Sequence, residues 1–146
     1  MPIDQIKQLR EESGVSIIEC QKALKEAGND MAKAKEVLRR WGRELAAKKA
    51  DRVTSQGIVT SYIHPNNKMG VLLELNSETD FAAKSADFKN LAHELCLQIA
   101  AMEEDASLLE QPWIKDPSKT IKDLINETTS KIGENITVKR FSKFKL

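Results

Sequence analysis

Ile58-Val59-Thr60-Ser61-Tyr62-Ile63-His64-Pro65-Asn66-Asn67-Lys68-Met69-Gly70-Val71-Leu72-Leu73-Glu74-Leu75 is the stretch on which the fold turns. Its first seven residues are rich in β-branched and aromatic side chains, which suit a pleated, half-buried surface. Pro65 to Lys68 supplies turn chemistry, with His64 as a turn residue. Val71 to Leu75 reads as the return strand, so an antiparallel hairpin is expected. Before it the apolar residues recur at helical spacing, and the period changes only here.

Toward the N-terminus, residues 1–42 predict three short helices. Ile3, Ile6 and Leu9 stripe the first, and Gly14 ends it. Ser16-Ile17-Ile18-Glu19 reads as a capping box, each side chain reaching the other's backbone amide. The second helix turns Ile17, Cys20, Ala23, Leu24 and Ala27 inward and stops at Gly28. Asp30 caps the third, with Met31, Ala34, Leu38 and Trp41 as its stripe and Gly42 as its end. Helices this short bury little surface, which suits a docking unit better than an enzyme. Residues 43–56, Ala-rich and polar, read as a solvated connecting helix between two bodies.

Toward the C-terminus, Phe88, Leu91, Ala92, Leu95, Cys96 and Ile99 mark an amphipathic helix ending near Met102. Pro112 and Pro117 bracket a loop in which Trp113 covers the sheet. Ile121, Leu124, Ile125 and Ile132 mark a further helix closed by Gly133. Ile136-Thr137-Val138-Lys139-Arg140-Phe141 is a last strand that can complete a three-stranded antiparallel sheet. The fold class is therefore α+β, with residues 57–146 as a small core packed by helices.

The 146 residues carry a net charge of +1, with 40% hydrophobic and 31% charged side chains. That balance excludes wholesale disorder. The charge is unevenly spread: residues 1–54 hold 12 Lys/Arg against 9 Asp/Glu, and residues 55–146 hold 11 against 13. Neither part is basic enough to make a nucleic-acid footprint the first reading. The last nine residues hold four cations and two aromatics, an alternation read as a strand with one wet face. Cys20 and Cys96 sit among apolar residues and read as free buried thiols in a reducing cytosol. His64 and His93 lack ligand-spaced partners, so no metal is expected. No run approaches the roughly 20 apolar residues of a membrane span. The start lacks the shape of a signal peptide, and a cytoplasmic location is expected.

Chemical motifs are mostly missing. There is no phosphate loop, no GxGxxG and no GxSxG, and Glu74, Glu78 and Asp80 imply no shared catalytic pocket. The anomaly is Asn76-Ser77-Glu78-Thr79-Asp80-Phe81-Ala82-Ala83-Lys84, which puts a large aromatic into a polar segment. Phe81 must be buried in its own domain or in a partner. Composition alone favours the first, with the ring packing back on the next helix as a staple.

Leu75-Asn76-Ser77-Glu78-Thr79-Asp80-Phe81 resembles the signature of the elongation factor Ts family, L-N-x-E-T-D-F-V. Leu9-Arg10-Glu11-Glu12-Ser13-Gly14 with Cys20-Gln21-Lys22-Ala23-Leu24, Ala46-Ala47-Lys48-Lys49-Ala50, Leu109 to Pro117, and Ile132 to Phe141 match its other segments in order. The resemblance spans essentially the whole chain. It departs where Val15-Ser16-Ile17-Ile18-Glu19 replaces A-G-M-M-D, where Ala82 replaces Val, and where Met102 to Leu108 stands for a longer insertion.

The resemblance implies an N-terminal module similar to ubiquitin-associated domains that docks on elongation factor Tu. Leu9, Arg10, Val15, Ile17, Ile18 and Lys22 would be its docking residues. Thr79, Asp80, Phe81 and Ala82 would carry the exchange action near the GTPase's Mg²⁺ and phosphate site. It also implies release of GDP without covalent chemistry, no cofactor, no nucleotide bound by the chain itself, no nucleic-acid or membrane partner, and a possible homodimer. The rival readings are a non-exchanging interaction module and an RNA- or ribosome-associated protein.

Overall fold

In the computed structural model, which describes residues 3–103 and 107–146, the hairpin is built from β1 (Gln56–Ile63) and β2 (Met69–Ser77). They pair antiparallel, Thr60 opposite Leu73 and Tyr62 opposite Val71. His64 lies in the turn as expected, its amide donating to Met69 O at 2.9 Å. A third strand, β5 (Ile136–Lys145), pairs antiparallel with β2, so the order is β1-β2-β5. Side chains alternate across the sheet: Val71, Leu73 and Leu75 are buried on one face, and Leu72 is exposed on the other.

The covered face packs against α5 (Ala86–Ala101), and α6 (Ile121–Ile132) packs on α5. Phe88, Leu91, Leu95, Cys96, Ile99, Ile121 and Ile125 join the inward strand residues in one core. Burying each large apolar side chain contributes roughly 1.5–3 kcal/mol. β5 has the expected wet face, but Lys143 turns inward. Its Nζ donates to Ala100 O at 3.0 Å and Met102 O at 2.9 Å, a cation satisfying carbonyls at the negative end of α5. Gly133, at φ 74°, ends α6 in the left-handed region, which a residue without Cβ adopts most cheaply.

The N-terminal helices are α1 (Ile3–Ser13), α2 (Ile17–Glu26) and α3 (Met31–Lys49). Ile6, Leu9, Cys20, Ala23, Leu24, Ala34 and Val37 form a second, smaller core. Trp41 packs against it, as its place on the helix stripe predicts.

Four local expectations fail. The third helix does not stop at Gly42; it runs on to Lys49. Gly42 is buried against α6, where Ser130 Oγ lies 3.2 Å from the place of a Cβ. Glycine here lets two helices approach. Arg43 continues that contact through a 3.1 Å ion pair with Asp123, so the start of the expected connecting segment is packed on the core. Ile17 is 46% exposed and not a core residue. At Ser16 only the Glu19 amide bond is made, at 3.2 Å. The full capping box is instead Thr120 with Asp123. Finally, Pro112 and Pro117 do not bracket a loop: β3 (Pro112–Trp113) and β4 (Asp116–Thr120) form a second small sheet. The buried Gln98 holds it, accepting from Ile114 N at 2.9 Å and donating to Pro112 O at 3.1 Å. Trp113 packs against the main core. At the ends of the shortened segment Met102 and Leu108 both belong to this core, while 104–106, like 1–2, lie outside the described residues.

Candidate partner-binding site

The polar segment after β2 folds into a single turn, α4 (Asp80–Ala83). One turn is too short to hold itself, because nucleation fixes several dihedrals for one hydrogen bond. Its anchors are therefore external. Ala82 is 5% and Ala83 0% exposed, so two small side chains seat the turn on the core. Successive helical residues point about 100° apart, which turns Phe81 away from that contact. The ring is 89% exposed. The staple reading is thus overturned: Phe88 fills the core beneath α5, fully buried, and Phe81 is not needed there. Beside the ring, Asp80 and Lys84 form a 2.8 Å surface pair, and the carboxylate raises the pKa of the Lys84 ammonium.

Thr79 is the N-cap, its Oγ accepting from the Ala82 amide at 3.2 Å. Its backbone amide donates to Glu134 Oε1 at 2.9 Å and its hydroxyl to Glu134 Oε2 at 2.6 Å. Its carbonyl accepts from the Ser77 hydroxyl at 2.8 Å. In the reverse direction, Asn135 N donates to Glu78 Oε2 at 2.7 Å. Asn135 Nδ2 donates to Arg52 O at 2.9 Å, and Lys49 Nζ to Gly133 O at 2.8 Å. The turn bearing Phe81 is therefore backed by the α6–β5 turn and by the end of α3. Glu134 and Asn135 were legible only as part of a matching segment. Their bonds to residues 78–79 span more than 50 positions and leave no periodic signal.

Of the residues expected at the site, Thr79, Asp80 and Phe81 are exposed, and Ala82 is a buried support. In the module, Arg10, Ile17, Ile18 and Lys22 are exposed, with Ile18 at 63%. Val15 is half-buried against the small core. Leu9 is fully enclosed in that core and offers no docking surface. Neither thiol is poised as a nucleophile: burial pushes Cys96 up to about 11 and raises Cys20 as well. No helix among the described residues is long and apolar enough to cross a membrane.

A family model described as elongation factor Ts matches residues 4–103 and, in an overlapping second segment, 78–146. The elongation factor Ts of Thermotoga maritima is 40% identical over 189 positions, covering 99% of this chain and 95% of that protein. That of Coprothermobacter proteolyticus is 41% identical over 188 positions, covering 97% and 95%. That of Thermoanaerobacter pseudethanolicus is 39% identical over 186 positions, covering 95% and 91%. With 186 or more aligned positions against 146 residues, at least 40 positions of each relative face a gap here.

Proposed function

The chain belongs to the elongation factor Ts family, and on that premise we propose that it is a guanine nucleotide exchange factor that releases GDP from elongation factor Tu. The carrying observation is Phe81, a solvent-exposed ring on a turn seated in the core and tied at its N-cap. An exposed phenyl ring gains roughly 1.5–3 kcal/mol when it enters an apolar cleft. Spent in the GTPase near its Mg²⁺ and phosphate site, that gain displaces the elements that hold GDP.

No bond chemistry is required. A partner that binds the empty GTPase more tightly than its GDP form weakens GDP by the same factor, because coupling between two ligands is reciprocal. The chain is then no enzyme in the covalent sense, needs no cofactor and binds no nucleotide itself. Residues 1–42 provide affinity, through Arg10, Ile17, Ile18 and Lys22, and residues 57–146 provide the exchange action. The place of action is the cytoplasm.

The test is release of a fluorescent GDP analogue from elongation factor Tu. Substoichiometric chain accelerates it many-fold under this reading. Stoichiometric binding without acceleration would make the chain a non-exchanging module, and salt-dependent RNA affinity without acceleration would make it an RNA-associated protein.

A second observation favours a homodimer. On the uncovered face of the sheet, Val59, Ile63, Leu72 and Phe144 are 65%, 60%, 54% and 81% exposed. Ile63 and Phe144 both pair with Gly70, one from each side, so they share a row over a residue with no side chain. A second copy related by a two-fold axis covers such a patch with itself.

A further inference from the structure

Resting on the exchange reading above, we infer that Glu134 is a positioning residue for exchange: it touches neither nucleotide nor partner, and acts by fixing Thr79 and so the direction in which Phe81 is presented.

The geometry leaves Phe81 no other means of orientation. At 89% exposure its ring has almost no packing contact. Its direction is inherited from the backbone of a four-residue turn. Ala82 and Ala83 hold the C-terminal half of that turn in the core. The N-terminal half is held at its cap, where Glu134 occupies the two free donors of Thr79.

The hydroxyl shows why the carboxylate matters. An amide N–H can only donate, so Thr79 Oγ must accept from Ala82 N. Its own proton then points to Glu134 Oε2, 2.6 Å away. The charged acceptor fixes the hydroxyl rotor in the orientation that caps α4. Glu134 is itself held. Gly133 turns the chain out of α6, and the next amide, of Asn135, is taken by Glu78 from the same segment that Glu134 grips. Each turn thus contributes one carboxylate to the other's backbone, a reciprocal clasp between residues 78–79 and 134–135.

Glu134→Ala frees Thr79 without opening the core, since Glu134 is only half-buried and Thr79 exposed. A turn that samples several directions presents the ring correctly for a fraction of the time, and the rate falls by that fraction, on the order of 10-fold.

The experiment measures maximal GDP release from elongation factor Tu, the chain concentration for half-maximal release, and the thermal midpoint of the free chain. Wild type, Glu134→Ala, Phe81→Ala, the double variant, Thr79→Ser and Thr79→Val are compared. Expected are a 10-fold lower maximum for Glu134→Ala, an unchanged half-maximal concentration and midpoint, and faster hydrogen exchange at the Thr79 amide. Thr79→Ser, which keeps both donors, is impaired less than Thr79→Val, which loses the hydroxyl that Glu134 holds. In the Phe81→Ala background Glu134→Ala adds no further loss, because there is no ring left to direct. If wild type fails to release GDP, the exchange reading itself falls. If wild type releases GDP and Phe81→Ala does not, any of these results overturns the inference alone: full activity of Glu134→Ala, losses that multiply in the double variant, or a raised half-maximal concentration at unchanged maximum. A fallen midpoint with full activity per folded molecule also overturns it.

Discussion

Phe81→Ala separates the surface role of this ring from a core role, because the two change different measurements. A ring that is 89% exposed contributes almost no packing to the free chain. Its truncation therefore leaves the thermal midpoint within about 1 °C, helped by a few tenths of a kcal/mol of better helix propensity. Had the ring been a core staple, truncation would have cost about 3–5 kcal/mol. At an interface the same ring acts as an aromatic anchor whose loss costs roughly 2–4 kcal/mol. Taken from the transition state for GDP release, this is about 30- to 1000-fold in rate. The assay is stopped-flow release of labelled GDP at saturating chain, beside a thermal melt of the chain alone. An unchanged rate, or a midpoint lowered by many degrees with exchange retained per folded molecule, would refute the reasoning. Asp80→Ala acts in the same direction but more weakly. Its partner Lys84 is a surface pair with side chains 57% and 73% exposed, and such pairs contribute only about 0–1 kcal/mol.

Four further outcomes are expected. Burial by itself would lift the Asp123 carboxyl, but the hydrogen bonds from Thr120 and the Arg43 guanidinium outweigh it and hold the group below its ordinary value of 3.8. Its stabilisation is therefore present above about pH 4 and lost as pH falls through the lowered folded value. Melts from pH 7 to 2 should show the gap between wild type and Asp123→Asn closing at the acid end, and a constant gap would disprove this. Gly133→Ala meets no neighbour within 4 Å, so only its φ of 74° is strained. A loss of about 1–2 kcal/mol, a few degrees of midpoint, is expected in calorimetry. Light scattering at tens of micromolar, a working range for a modest interface of roughly 6–7 kcal/mol, should report a dimer that Leu72→Glu with Phe144→Glu dissociates; a monomeric wild type contradicts the pairing. A chain of residues 51–146 should bind elongation factor Tu far more weakly than the full chain. It should also melt lower, because α6 loses the cover of Gly42 and Arg43. Equal binding would end the proposed division of labour.

Much of this was legible in advance because it is local. Strand period, the turn at Pro65 to Lys68, the caps at Asp30 and Gly133 and the apolar stripe of α5 each depend on neighbours within a few positions. The α+β class followed from them, and the ordered motifs around Leu75 to Phe81 carried the family. The misreadings at Gly42 and Ile17 share a cause. Gly42 looked like a helix end because glycine usually is one, yet Ser130 on α6, distant in sequence, rewarded its small size instead. Leu9 and Ile17 both lie on apolar positions of short helices, and only three-dimensional packing assigned one to the core and the other to solvent.

The amino-acid order by itself determined what the elements are and which family they compose, since periods of two and of 3.6 residues and fixed motif spacings are written along the chain. The tertiary structure alone decided that Phe81 faces water, that Ala82 beneath it does not, and that Glu134 grips Thr79. Those outcomes depend on how a sheet and two helices bring residues 79 and 134 together, 55 positions apart, and no periodicity of a linear sequence encodes a meeting of that kind.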